Sequence, residues 1–200
     1  MILYGASGHG KVVAEILRDN GINGIVFCDD NPDARLIGET VTSIDAHIES
    51  NDVIVTVGLN HIRKNIVLRN LSLKYSRAIH SRAVVSPSAN ILEGTVVMAG
   101  AIINTDSTIG KHVIINSGAV VEHDCEISDF VHVSPNATLC GGVKVGEGTW
   151  IGAGSTIKNG VKIGNWSVIG AGAVVVSDIP DNKIYVGNPA RCASENIKYK

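Results

Sequence analysis

Residues 83–127, AVVSPSANILEGTVVMAGAIINTDSTIGKHVIINSGAVVEHDCEI, carry a valine or isoleucine at every sixth position, and the series runs without a slip from Val85 to Val175. Its sixteen members are Val85, Ile91, Val97, Ile103, Ile109, Ile115, Val121, Ile127, Val133, Leu139, Val145, Ile151, Ile157, Ile163, Ile169 and Val175. Two places before each stands a small or β-branched residue: Ala83, Ala89, Thr95, Ala101, Ser107, Val113, Ala119, Cys125, and so on to Ala173. A period of six fits neither an amphipathic helix nor an alternating strand. It fits a parallel β-helix, in which three short strands and their turns close one triangular coil and successive coils stack about 4.8 Å apart. The aliphatic residue points into the prism and the small residue points in beside a corner. One coil takes three repeats, so the prism is about 25 Å long. Gly or Asn follows the aliphatic residue in seven of the sixteen repeats (Asn104, Gly110, Asn116, Gly146, Gly152, Gly164 and Gly170). Such residues tolerate positive φ, so they are expected to form the corners.

Composition narrows the function. The formal net charge of the 200 residues is −2, which implies no nucleic-acid partner. No apolar run approaches the length of a spanning helix, so no membrane insertion is expected. Met1 leads directly into a strand without a signal-peptide pattern. The four cysteines form no CxxC pair and no disulfide framework, and a cytoplasmic location is the simplest expectation.

The first eighty residues read differently. ILYGASGHGKVVAEILRDNG, from Ile2, is a strand, a glycine turn and a helix with Val13, Ile16 and Leu17 on its apolar face. IVFCDD and the stretch from Asp52 to Gly58 read as further strands, and a second helix is expected from about Asn60 to Tyr75. Alternating strands and helices predict a Rossmann-like α/β domain with a parallel sheet over residues 1–76. The β-helix with its C-terminal tail then occupies 77–200. The turn matches a P-loop only as far as Gly5–Lys11, because Val12 stands where Ser or Thr would hold magnesium. Its glycine spacing also departs from the dinucleotide fingerprint. What survives is a glycine turn opening a helix, which favours a phosphate. Asp29 and Asp30 end the second strand, placed to accept hydrogen bonds from a nucleoside. Simple packing of strand on helix, with two solvated aspartates, is the plainer alternative.

On the prism, His123 follows Val121 at a corner, with Asp124 beside it. A histidine next to a carboxylate is a candidate general base. One coil further on lie Gly141 and Gly142, which leave room for a slender chain and expose the Gly141 N–H as an oxyanion donor; serving a corner is their plainer role. His132 lies half a coil away, on another side. A site using both histidines must join two subunits, as cyclic association provides. Pro135, Ala153, Ala171 and Pro189 form a second column, a shallow groove for an extended ligand, with Arg191 and nearby lysines available for phosphate. His47 and His61 fall in helical or loop segments, and His80 and His112 are expected at the surface. Cys125 sits at the small inward position and is expected to face the interior.

YGASGHG, CDD, VGLNHIRK, the hexapeptides, HDC, FVHVSP and VGNPA together resemble bacterial hexapeptide acyltransferases with an N-terminal nucleotide-sugar domain. This group includes the UDP-4-amino-sugar N-acetyltransferases of bacillosamine-type pathways and sialic acid O-acetyltransferase-like proteins. The resemblance implies a left-handed β-helix, and a homotrimer of parallel prisms is expected from the composite site that His123 and His132 require. It implies acetyl-CoA as cosubstrate, a UDP-linked amino sugar as acceptor and no metal. Ser7, Gly8, His9, Asp29, Asp30 and Gly58 would then meet the sugar nucleotide. His123 would be the base, supported by Asp124, and His132, Ala153 and Ala171 would contact the coenzyme. O-acetylation of a sialic acid or another sugar hydroxyl is the nearest alternative. A zinc lyase would need three histidines at suitable coil offsets, which the nine-residue gap from His123 to His132 does not supply. A non-catalytic nucleotide-sugar sensor is the third reading.

Overall fold

The computed structural model describes residues 1–43 and 52–195; His47 lies outside them. The chain opens with β1 (Ile2–Tyr4), α1 (Gly8–Asp19), β2 (Val26–Cys28), β3 (Val41–Thr42), β4 (Val53–Val55) and α2 (Asn60–Arg69). The four strands form one parallel sheet in the order β3-β2-β1-β4. The sequence pattern missed β3, because a two-residue strand carries no periodic signal. Helix α1 buries Val13, Ala14, Ile16 and Leu17 on one face, and Gly21 (φ 79°) closes it. Helix α2 stops at Arg69, six residues short of the expected Tyr75. There the Asn70 amide bonds the Ile66 carbonyl at 2.7 Å, and Tyr75 instead bridges to Val53 in parallel.

From Val84–Val85 to Val174–Val175 every repeat forms a two-residue strand. Up to Thr156–Ile157 each pairs in parallel with the strand eighteen residues on, as in Ile114↔His132↔Trp150↔Val168. The second residue of each pair fills the prism, and Val97, Ile103, Ile109, Ile115, Val121 and Leu139 are fully buried. At three of the five small inward positions that carry a hydroxyl, it bonds a corner carbonyl fifteen residues on; Ser155 bonds the Gly152 carbonyl and Ser167 the Pro180 carbonyl instead. Thr95 reaches Gly110 at 2.7 Å, Ser107 reaches Glu122 at 2.6 Å and Thr149 reaches Gly164 at 2.6 Å. These bonds remove the cost of burying the hydroxyls. Cys125 follows the same rule, its Sγ lying 3.3 Å from the Cys140 carbonyl.

The corners differ from expectation in phase. Positive φ falls three places after the aliphatic residue, at Gly118 and Gly142 but also at Asp124 (φ 58°) and Phe130 (φ 59°). The glycine directly after the aliphatic residue answers a steric need instead. A Cβ on Gly152 would lie 2.4 Å from the Ile169 carbonyl oxygen of the next coil. The last coil is also shorter: Val168 pairs with Ile184, sixteen residues on. Gly187, not Pro189, therefore stands in register above Ala171.

The outward residues of the three prism sheets set their fates. One row reads Asn90, Thr108, Glu126, Lys144, Lys162 and is solvent-exposed. A second begins Val96 and Ile114, which are buried with Met98 against Leu3, Val13, Ala14 and Leu17 of the N-terminal region. Burial of each such aliphatic side chain is worth about 1.5–3 kcal/mol. The third row, Val84, Ile102, Val120, Thr138, Thr156 and Val174, stays only partly covered, with Val84 62% exposed. Among the described residues no helix is long and apolar enough to cross a membrane.

Candidate functional site

The corner from Glu122 to Cys125 presents its imidazole outward. His123 Nδ1 lies 2.7 Å from Asp124 Oδ2, and both side chains are more than half exposed. With its Nδ1–H donated to the carboxylate, the ring leaves Nε2 free to accept a proton. The hydrogen bond to Asp124, and then its charge and that of Glu122, raise the His123 pKa above the ordinary histidine value. One coil on, the ring lies over Gly141, where an added Cβ would be 2.6 Å from both Cε1 and Nε2. The neighbouring Gly142 N–H bonds the His123 carbonyl at 2.9 Å, which fixes the two corners to each other. Among the described residues no acceptor takes the Gly141 N–H. A base, its carboxylate and a free donor therefore share one exposed ledge. Cys125 next to it is buried, and that burial raises its thiol pKa, which leaves it a poor nucleophile.

The glycine turn lies elsewhere. Ser7 precedes α1 in extended conformation without a side-chain cap bond, so its hydroxyl is uncommitted. Gly8 is exposed, and among the described residues no atom beyond its chain neighbours and its own helix backbone lies within 4 Å of where a Cβ would stand. Asp29 holds this turn: Oδ2 accepts from the Ala6 N–H at 2.8 Å and Oδ1 from the Asn31 N–H at 2.9 Å. Asp30 accepts from the Tyr4 hydroxyl and, at 3.0 Å, from Arg69. Both aspartates thus already have partners in the chain. They border a cleft of about 280 Å³ lined also by Pro32, Arg35, Thr42 and Ser43.

Gly58, His9 and His132 meet where the N-terminal region covers the prism. His132, on the strand His132–Val133, is 7% exposed; the Asn116 amide donates to its Nε2 at 3.0 Å, and Trp150 lies against its ring at 4.6 Å. Burial, then the charges of Arg63 and His9, pull its pKa down to about 3, while the Gly58 backbone acts the other way. His9 falls to about 4, through burial and Arg63. His112 was expected at the surface. It is buried between Tyr75, edge-on, and Phe130, stacked, and burial and Arg63 bring it to about 4. His80, also expected outside, is 8% exposed, and its Nδ1 accepts the Arg82 N–H at 2.9 Å. Both histidines occupy turns that the N-terminal region roofs over, which no hexapeptide pattern reveals.

His9, His112 and His132, buried and neutral, make the seam acid-sensitive. Their folded pKa values lie below the unfolded value near 6.5, so between about pH 6.5 and 4 the unfolded chain binds more protons. Stability is complete above that window and falls as pH drops through it, by up to about 1.4 kcal/mol per pH unit for each histidine. Thermal unfolding scanned from pH 7.5 to 4.5 should show a steep loss of Tm below pH 6.5, and His112→Asn should flatten it. A flat profile in the unaltered protein would contradict the neutral, buried assignment.

Ala153 and Ala171 stand exposed in one column, the Gly154 N–H bonding the Pro135 carbonyl and the Gly172 N–H the Ala153 carbonyl. Within one chain the expected residues thus fall into three groups: the His123 ledge, the turn with Gly58 and His132, and the alanine column. Sequence reasoning missed Asn60 and Arg63, which fasten the seam. Both lie in VGLNHIRK, the stretch used only for its glycine. Among the described residues no group of three or more His, Cys, Asp or Glu is arranged to hold a metal.

Two family models match: the PglD N-terminal domain over residues 1–69, and the bacterial transferase hexapeptide (six repeats) over residues 142–177. A histidine-to-asparagine variant of perosamine N-acetyltransferase from Caulobacter crescentus, in complex with CoA and GDP-perosamine, is 37% identical; the match covers 97% of this chain and 96% of that one, with a TM-score of 0.92. The acetyltransferase domain of PglB from Neisseria gonorrhoeae, in complex with acetyl coenzyme A, is 41% identical over 96% of this chain and 97% of that one, with a TM-score of 0.90. WeeI from Acinetobacter baumannii is 28% identical over 96% and 98%, with a TM-score of 0.88.

Proposed function

Because the chain belongs to the family of bacterial hexapeptide-repeat sugar acetyltransferases with a PglD N-terminal domain, we propose that it transfers the acetyl group of acetyl-CoA to the amine of a nucleotide-linked amino sugar. The observation that carries this reading is the exposed His123–Asp124 pair, 2.7 Å apart, set over Gly141. In the proposed reaction the amine nitrogen attacks the thioester carbonyl carbon. His123 Nε2 takes the amine proton, Asp124 stabilises the imidazolium, and the Gly141 N–H receives the developing oxyanion. Collapse breaks the C–S bond, and the proton passes to the departing thiolate. No acyl-enzyme is needed.

The reading divides the chain into a Rossmann-like sugar-nucleotide domain, residues 1–76, and a left-handed β-helix, residues 77–200. Ser7, Gly8, His9, Asp29, Asp30 and Gly58 belong to the acceptor side, and His132, Ala153 and Ala171 to the coenzyme side. UDP is the expected nucleotide. GDP is the second reading, favoured by the GDP-perosamine bound to a relative that matches nearly the whole chain. A homotrimer brings the separated groups together. The row Val84, Ile102, Val120, Thr138, Thr156 and Val174 supports it, being an uncharged, mostly aliphatic sheet face that one chain leaves partly uncovered.

Gly8 tests the division of labour. It has open space around it, so the fold accommodates a side chain there. Gly8→Val should raise KM for the sugar nucleotide about tenfold or more and leave KM for acetyl-CoA within about twofold. Equal loss for both substrates, measured by initial rates, would sink the assignment.

A further inference from the structure

Helix α2 carries a buried cation whose donors meet, among the described residues, only carbonyl oxygens. Arg63 is 1% exposed, and burial pulls its pKa down to about 9, so it stays charged at neutral pH. On the prism side its Nε donates to the His112 carbonyl and its Nη2 to the Phe130 carbonyl, both at 2.8 Å. On its own side Nη1 donates to the carbonyls of Val57 at 2.9 Å and Gly58 at 3.1 Å, and Nη2 to Asn60 Oδ1 at 3.0 Å. The Asn60 amide extends the contact to the Gly148 carbonyl at 3.1 Å.

The three prism carbonyls form a series. His112, Phe130 and Gly148 occupy one corner of three successive coils, the step of eighteen residues that relates Ile114, His132 and Trp150. The residues have φ of 53°, 59° and 64°, and among the described residues no backbone N–H takes their carbonyls. Roofing such groups over would cost about 1–3 kcal/mol each without a donor. A guanidinium offers five N–H groups in one rigid plane, so the acceptors it joins are held at fixed relative positions. Val57 and Gly58 are two of those acceptors. They end the segment after β4 and adjoin His132.

We propose that Arg63, with Asn60, is a positioning residue: it locks the Val57–Gly58 loop to three coils of the prism and so sets where the acceptor amine arrives. This rests on the reading that Gly58 lines the sugar-nucleotide site. Simple adhesion between the two regions would weaken both substrates together; a lock on this loop acts mainly on the acceptor, because Gly58 belongs to the acceptor side and, of the coenzyme-side residues, His132 alone adjoins the loop while the alanine column lies at a different corner.

The test is Arg63→Met, Arg63→Lys and Asn60→Ser in the full chain, with acetyl-CoA and the amino-sugar nucleotide that the unaltered protein accepts. Arg63→Met should lower kcat/KM for the acceptor about 100-fold and leave KM for acetyl-CoA within about twofold. Arg63→Lys should recover about tenfold of that loss. Should Arg63→Met fail to fold, Asn60→Ser reads the same lock from the prism end, with an expected loss of about tenfold in the same parameter. Unchanged acceptor kinetics in a folded variant, or equal losses for both substrates, would overturn the proposal. Absence of transfer by the unaltered protein would instead defeat the functional reading. Hydrogen exchange at Val57 and Gly58 then still decides the lock: faster exchange in the variant supports it, and unchanged exchange refutes it.

Discussion

His123→Ala is expected to lower kcat by about 10²–10⁴-fold while the protein stays folded, the span usual for a lost general base. The side chain is more than half exposed and fills no core space, so its removal leaves the prism packing intact. The coenzyme should still bind, because the alanine column lies elsewhere. Asp124→Asn should cost less and has a diagnostic sign. Asp124 raises the His123 pKa, and a base acts only when neutral. Activity should therefore fall as pH drops through that pKa, and removing the carboxylate should move this acid limb to lower pH. An unmoved limb, or near-normal turnover in folded His123→Ala, assigns the proton transfer to another group.

Gly141→Ala should be nearly as damaging, although it adds a single methyl group. Its Cβ would stand 2.6 Å from His123 Nε2 and Cε1, so the imidazole must swing aside. The ring is exposed and moves at little cost in stability. Misplacing a catalytic group by about 1 Å can nevertheless cost about 10² in rate. Initial rates should show that loss in kcat with Tm unchanged. A Gly141→Ala enzyme with normal kcat would show that the ledge is not where the reaction occurs.

The prism was legible because its signal repeats. One aliphatic residue every sixth position fixes the coil, the inward set and the neighbour eighteen residues away, and hence the stacking of His123 on Gly141. Cys125 was readable for the same reason, since its register equates it with Ser107 and Thr149. What repeats weakly was misread. Glycine has two uses, positive φ and close approach, and the sequence alone does not say which use applies at Gly152. The seam was hidden because it rests on single contacts between distant segments. Arg63 meets carbonyls 49 and 67 residues away, and a helix pattern assigns an arginine to solvent. His112, expected at the surface, is enclosed by Tyr75 and Phe130, two single contacts outside its own repeat. Nor does a pattern tell that Asp29 and Asp30 are already engaged within the chain.

Acetyl transfer to nitrogen on a nucleotide sugar, with His123 as base, is checked by incubating the protein with acetyl-CoA and a panel of UDP- and GDP-linked amino sugars, beside sialic acid and hydroxyl-only counterparts. Thiol release and the acetylated product are followed together. The expected result is thiol release only with amino sugars, a product that survives mild alkali as an amide does, and loss of both in His123→Ala. Thiol release with the hydroxyl sugars and an alkali-labile ester, or undiminished transfer by His123→Ala, would contradict it.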